Sequence, residues 1–252
     1  MTNFKITLQY DGTRYLGWEH QPGKDNTIQG KVETVLARML DYPEGKIPNV
    51  IGCGRTDAGV HAEAFVCNVH LETEMSPVEV MNYLNTYLPD DIGASDVREA
   101  SDRFHARYNA VGKTYRYTCW YGGPGQIKPV FDRRYMQVLE SFPDLEAMRR
   151  ATGYLLGEHD FKSFCGNPKM KKSTVRRVDS IEIEQKGGRI TFTYHGSGFL
   201  QYMVRILTGT LLEVGQGLRP ADSLPGLIAA GDRTLAGPTA PAKGLCLVKV
   251  DY

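Results

Sequence analysis

The chain has 252 residues, of which 41% are hydrophobic and 23% charged, enough to bury one large core or two smaller ones and too apolar for a disordered polyelectrolyte. Thirty Lys and Arg nearly cancel 29 Asp and Glu, leaving +1. No apolar run approaches the ~20 residues that cross a bilayer, and residues 1–10 alternate polar and apolar side chains with no signal-like apolar stretch, so a cytoplasmic protein is expected.

In chain order, Phe4, Ile6, Leu8 and Tyr10 alternate as a first strand, closed by the turn pair Asp11-Gly12. Ile28, Val32, Val35, Leu36, Met39 and Leu40 fall on one helical face. A short strand at Val50-Ile51 leads into the loop Gly54-Arg55-Thr56-Asp57-Ala58-Gly59. A long strand with Phe65, Cys67, Val69 and Leu71 on one face follows. Ser76-Pro77-Val78-Glu79 is a capping box with proline at the first helical position, and the helix it opens stops before Pro89. Ile92 to Ala100 supplies a closing strand.

The second half reads as a repeat of that order. Lys113 to Tyr121 alternates as a strand, and Leu145, Met148, Thr152, Leu155 and Leu156 mark a helix ended by Gly157. Val175 to Ile183 and Ile190 to Tyr194 flank Lys186-Gly187-Gly188-Arg189 as a hairpin. A helix is expected from Phe199 to Val214, a shorter one over Leu224 to Ala230, and a closing strand over Gly244 to Val250. The fold class is therefore α+β: two tandem ferredoxin-like, βαββαβ halves, 1–105 and 106–252, with mainly antiparallel sheets around a central cleft. Such halves share the layout of RNA-recognition domains, which bind unpaired bases on an open sheet face.

Charge is segregated. Arg103 to Arg116 holds four basic residues and no acid, and Lys162 to Arg177 holds six and none. Phe104, Tyr108 and Tyr115 interleave with the first set. Cations beside aromatic rings suit RNA, with phosphates neutralised and bases stacked; a solvated basic face over core aromatics gives the same pattern. Arg103, Arg107, Lys113, Lys169, Lys171 and Lys172 are the candidate contacts to RNA backbone. Five cysteines (Cys53, Cys67, Cys119, Cys165 and Cys246) are odd in number and form no Cys-x-x-Cys pair, so reduced thiols are expected, with no metal site.

Two segments carry candidate chemistry. Residues 52–62 place three glycines around Arg55 and Asp57, which reads either as a close-approach loop or as a plain turn with Asp bonding its own backbone. The helix over 199–214 is apolar nearly all round, yet holds Arg205 in its middle. A buried guanidinium needs a carboxylate from elsewhere in the chain, unless it snorkels to solvent.

Gly54-Arg55-Thr56-Asp57-Ala58-Gly59-Val60-His61-Ala62 resembles the signature of the tRNA pseudouridine synthase A family. The resemblance extends through Tyr10-Asp11-Gly12-Thr13 with Gly17-Trp18, Phe104-His105-Ala106-Arg107, Lys113-Thr114-Tyr115-Arg116-Tyr117, Met203-Val204-Arg205 and Ala240-Pro241-Ala242-Lys243-Gly244-Leu245. It implies that Asp57 is the catalytic nucleophile and that Tyr115 stacks on the target uracil. It further implies that Arg55 supports the flipped-out nucleotide, Arg205 pairs with the catalytic carboxylate, and Leu245 lines the uracil pocket. The implied activity is isomerisation of uridine to pseudouridine at tRNA positions 38, 39 and 40 of the anticodon stem-loop, without cofactor or metal, by a homodimer. Gln201, Tyr202 and Ile206 depart from the family's pattern. An RNA-binding protein without catalysis, a hydrolase of the glycosidic bond and a synthase acting at other RNA sites are the rival readings.

Overall fold

The protein is described by a computed structural model covering residues 1–21, 23, 26–123, 125–167 and 169–252. It is mixed α+β, with five α-helices and ten mostly antiparallel strands among the described residues. The chain divides into two compact units, Met1–Val111 with Cys246–Tyr252, and Gly112–Leu245. No helix among the described residues is long and apolar enough to cross a membrane.

In the first unit, β1 (Thr2–Tyr10), α1 (Ile28–Met39), β2 (Ile51–Gly52), β3 (His61–Leu71), α2 (Pro77–Tyr87) and β4 (Ile92–Ala100) follow the expected order. β1 lies between β3 and β4, antiparallel to both; its register sets Phe4, Ile6 and Leu8 opposite Val69, Cys67 and Phe65, so the alternating apolar sets meet on one buried face. Thr27 caps α1 by accepting from Gly30 N–H. Ser76 and Glu79 form the capping box on α2, with both reciprocal bonds present. Val32, Leu36, Val80 and Leu84 carry the two helices into the core.

The second unit holds β5 (Gly112–Trp120), β6 (Gln137–Val138), α3 (Leu145–Gly153), β7 (Gly157–Asp160), β8 (Val175–Lys186), β9 (Arg189–Gly196), α4 (Met203–Gly215) and α5 (Leu224–Ala230). Its sheet runs β5-β9-β8-β7, all antiparallel, with β6 parallel to the end of β5.

Two sequence expectations are corrected here. The α3 helix ends at Gly153 rather than Leu156, because Gly157, at φ +93°, turns the chain into β7, which pairs with β8 through Gly157↔Val178 to Asp160↔Val175. Gly-Glu-His-Asp carries no alternation from which that strand could be read. The α4 helix starts at Met203, not Phe199: Tyr202 sits at φ +61°, a left-handed residue that ends the preceding turn and cannot itself be helical. Arg205 therefore lies in the first turn of α4, not its middle. The closing strand expected over 244–250 is present as β10 (Leu245–Asp251), which sets Cys246 and Leu247 parallel to His61 and Ala62 of β3. Asp251 O accepts from Val111 N–H at 2.9 Å, Tyr252 OH donates to Ala106 O at 2.8 Å, and Lys5 Nζ sits over the Tyr252 ring.

Candidate active site

The Asp57 loop follows β2 and enters β3. Cys53 N–H bonds Val66 O at 2.8 Å, Trp18 N–H bonds Thr56 O at 3.1 Å, and Gly59 N–H bonds Tyr15 O at 3.3 Å, so three points of its backbone are tied to neighbouring chain. Tyr10 OH and Thr56 Oγ1 meet at 2.8 Å, buried. Behind the loop, Trp18 stacks on Phe65 at 4.0 Å between centroids. Asp57 N–C–O backbone also closes a turn, Val60 N–H donating to Asp57 O at 3.1 Å, and its side chain is half-buried. The approach is close enough to demand glycine: at Gly17, φ +97°, a Cβ would stand 2.6 Å from Thr56 O and 3.1 Å from Asp57 C. At Gly12 a Cβ would overlap Val60 O. Next to the loop, His61 is buried, and its Nδ1 accepts from Gly12 N–H and lies 3.1 Å from Asp11 Oδ1. Arg55 is exposed and pairs with Glu19 at 2.5 Å. An exposed pair of this kind is worth at most about 1 kcal/mol, so another anion can displace Glu19 cheaply.

In the second unit, Tyr115 lies on β5, half-buried, with its ring edge-on to Phe199 at 5.4 Å. It shares a strand face with Tyr117 and Cys119, which are wholly buried. The aromatic run of β5 thus belongs in part to the core, and burial pushes the Tyr117 hydroxyl well above its ordinary pKa. That hydroxyl lies 2.9 Å from both Gln137 Oε1 and Pro241 O, and a Cβ on Gly244 would press within 2.6 Å of Tyr117 Cζ. Tyr117 so fixes the turn that leads into Leu245, itself buried. Arg205 Nε donates to Ala240 O at 2.7 Å, and Ala240 N–H donates to Arg205 O at 3.1 Å. One residue on α4 and one on the 240–245 turn are thereby locked together, and the guanidinium lies over the Tyr202 ring at 5.1 Å.

A family profile described as "tRNA pseudouridine synthase" matches residues 6–109 and 151–252. The chain is 41% identical over 252 residues to "tRNA pseudouridine synthase A 2" of Bacillus anthracis, 42% over 253 to "tRNA pseudouridine synthase A 1" of Clostridium tetani, and 40% over 252 to "tRNA pseudouridine synthase A" of Clostridium acetobutylicum. Each comparison covers 100% of both chains.

The chain belongs to the tRNA pseudouridine synthase family.

A solved structure, "Crystal Structure of a Cbf5-Nop10-Gar1 Complex", aligns at a TM-score of 0.37 and 11% identity, over 97% of this chain and 48% of that one. That likeness is remote. Among the described residues of this synthase-family chain, no group of three or more His, Cys, Asp or Glu is placed to hold a metal ion.

The structure brings the sequence-identified residues into two clusters, one in each unit. Arg55 and Asp57 share the first unit's loop; in the second, Tyr115 meets Phe199, Arg205 in the first turn of α4 is bonded to Ala240, and Leu245 ends the 240–245 turn. Of the basic candidates, Arg103, Arg107, Lys169, Lys171 and Lys172 are exposed and Lys113 is half-buried at the start of β5. Sequence reasoning gave no role to Tyr10, Gly17 and Trp18, which hold the Asp57 loop, nor to Gly166, whose missing Cβ admits the Tyr202 ring. Tyr10, Gly17 and Trp18 stand in the motifs that carry the resemblance, which give them no role, and Gly166 lies outside those motifs.

Proposed function

We propose that Asp57 is the nucleophile of a tRNA uridine isomerisation at positions 38, 39 and 40 of the anticodon stem-loop. By family the chain is an isomerase acting on tRNA. The site and the residue roles are the added reading. In it, the Asp57 carboxylate attacks C1′ of the target uridine, the bond from C1′ to uracil N1 breaks, and the base rotates. Its C5 then bonds to C1′, displaces the carboxylate and gives up its proton, while N1 ends protonated. The product is an isomer of the substrate, so the step balances without an electron carrier.

The observation that carries this reading is the loop itself. Asp57 is a half-buried carboxylate on backbone tied at Cys53, Thr56 and Gly59, with Gly17 packed so closely that no side chain fits. A turn needed only to reverse the chain gains nothing from such constraint, whereas a carboxylate that must meet one carbon atom does. In this reading Arg205 supplies the positive charge that keeps the catalytic carboxylate anionic. Tyr115 stacks on the extruded uracil, offsetting part of the few kcal/mol of unstacking. Leu245 lines the uracil pocket, and Arg55, released from Glu19, takes a phosphate of the flipped nucleotide. The exposed Arg103, Arg107, Lys169, Lys171 and Lys172, with Lys113, follow the RNA backbone. The working form is a homodimer in the cytoplasm.

The test is single-turnover release of tritium from tRNA transcripts carrying [5-3H]uridine, with the modified positions mapped. Release confined to positions 38–40, abolished by Asp57→Ala while tRNA binding persists, is the expected result. Turnover by Asp57→Ala overturns the nucleophile, modification elsewhere overturns the site, and free uracil as product means a hydrolase.

A further inference from the structure

Tyr202 is the residue of the second cluster that no role yet covers. Apart from Asp41 it is the one non-glycine residue among those described that holds a positive φ, and for a bulky aromatic this is an outlier that only a determined surrounding sustains. Three contacts determine it. Gly166 N–H bonds Gln201 O at 2.8 Å, pinning the peptide just before it. Gly166 itself is so close to the ring that a Cβ there would overlap Tyr202 Cδ2. Ile206 N–H bonds Tyr202 O at 2.9 Å, so the strained residue begins the α4 helix. The outcome is a ring laid against the guanidinium of Arg205, centroid to Cζ 5.1 Å.

We propose that Tyr202 is a positioning residue for Arg205. The guanidinium is held at two points, Nε by Ala240 O and one face by the Tyr202 ring, which together fix where its Nη edge aims. A ring face suits this task because it attracts the cation without taking any of its hydrogens. A carbonyl or carboxylate in that place would spend donors that the catalytic anion needs. The strained backbone is what the arrangement requires: an ordinary helical φ at 202 would swing the side chain away from Gly166, and the ring with it. The proposal rests on the role given to Arg205 above.

The experiment compares Tyr202→Phe with Tyr202→Leu in the wild-type and Arg205→Gln backgrounds, reading kcat, KM for tRNA and Tm. All three side chains at 202 share the φ strain, so it cancels. Phe keeps the ring face and holds kcat within about twofold. Leu fills space without a π face and lowers kcat about 3- to 30-fold, the factor expected of a cation–π contact, with KM and Tm little changed. In the Arg205→Gln background the difference between Phe and Leu disappears. A Leu variant as fast as Phe, a loss that follows Tm, or an equal loss in both backgrounds overturns the positioning role. A full rate for Arg205→Gln alone overturns the Arg205 reading and the clamp with it, whereas a slow Arg205→Gln beside a fast Tyr202→Leu overturns the clamp only.

Discussion

Gly17→Ala tests whether the Asp57 loop is held for chemistry. The new methyl would stand 2.6 Å from Thr56 O and 3.1 Å from Asp57 C, where side-chain carbons do not approach backbone closer than 3.0 Å and seldom closer than 3.4 Å. The two segments must separate by 0.4 to 0.8 Å, and the atom that moves is the carbonyl immediately before Asp57. Alanine at φ +97° adds backbone strain of about 1–2 kcal/mol. A displacement approaching 1 Å at a reacting group can cost about 100-fold in rate, so kcat is expected to fall about 10- to 100-fold, with the KM for tRNA nearly unchanged. Gly45→Ala is the control: it has a similar φ of +83° but nothing within 4 Å, and so carries strain without displacement. It should lower Tm by a comparable amount and leave kcat alone. Single-turnover tritium release gives the rate and thermal unfolding the stability. Should Gly17→Ala react at the wild-type rate, or lose no more than Gly45→Ala, close approach at Gly17 would not be what places Asp57.

Tyr115→Phe keeps the ring and should retain kcat/KM, while Tyr115→Leu removes stacking worth about 1–3 kcal/mol and should lower it about 5- to 150-fold; equal values for the two would exclude stacking. Replacing Lys169, Lys171 and Lys172 with Gln should flatten the slope of log affinity for tRNA against log salt by about 2, from the single-strand coefficient; an unchanged slope means they touch no phosphate. Asp91 receives hydrogen bonds from Arg14 and Tyr15. Its burial pushes the carboxyl pKa up, but those bonds and the Arg14 charge outweigh that and hold it below the ordinary range. A depressed folded-state pKa stabilises the fold above the unfolded value and is lost as pH falls through the folded one. Asp91→Asn should therefore lower Tm at neutral pH, and its gap to wild type should close below about pH 4. A gap that stays constant through that range would show that the carboxylate's charge plays no part.

The elements that strong local signals specify were legible: the alternation of Phe4 to Tyr10, the Ser76–Glu79 box, and the hairpin at Gly187-Gly188 all stand where the sequence puts them. What failed depended on distant partners. No local pattern marks Gly157 to Asp160 as a strand, because its pairing with β8 decides it. Nothing in Phe199-Leu200-Gln201-Tyr202 forbids helix, and the left-handed Tyr202 follows from Gly166, thirty-six positions upstream. The residues proposed for the site, at 55, 57, 115, 205 and 245, were singled out by a resemblance to family motifs rather than by local pattern. Tyr10, Gly17, Trp18 and Tyr117 stand in the same motifs, but their part as supports was not legible, since a buried phenol bonded to Thr56 or Pro241 looks in sequence like any core tyrosine.

Because Cys246–Tyr252 pack with Met1–Val111, a ribosome must translate all of 112–245 before the first unit receives its last strand. Until then His61 and Ala62, next door to the Asp57 loop, have no parallel neighbour. Vectorial synthesis thus delays completion of the first unit until the second has been made, and a fragment cut at residue 111 would emerge as a sheet missing one member.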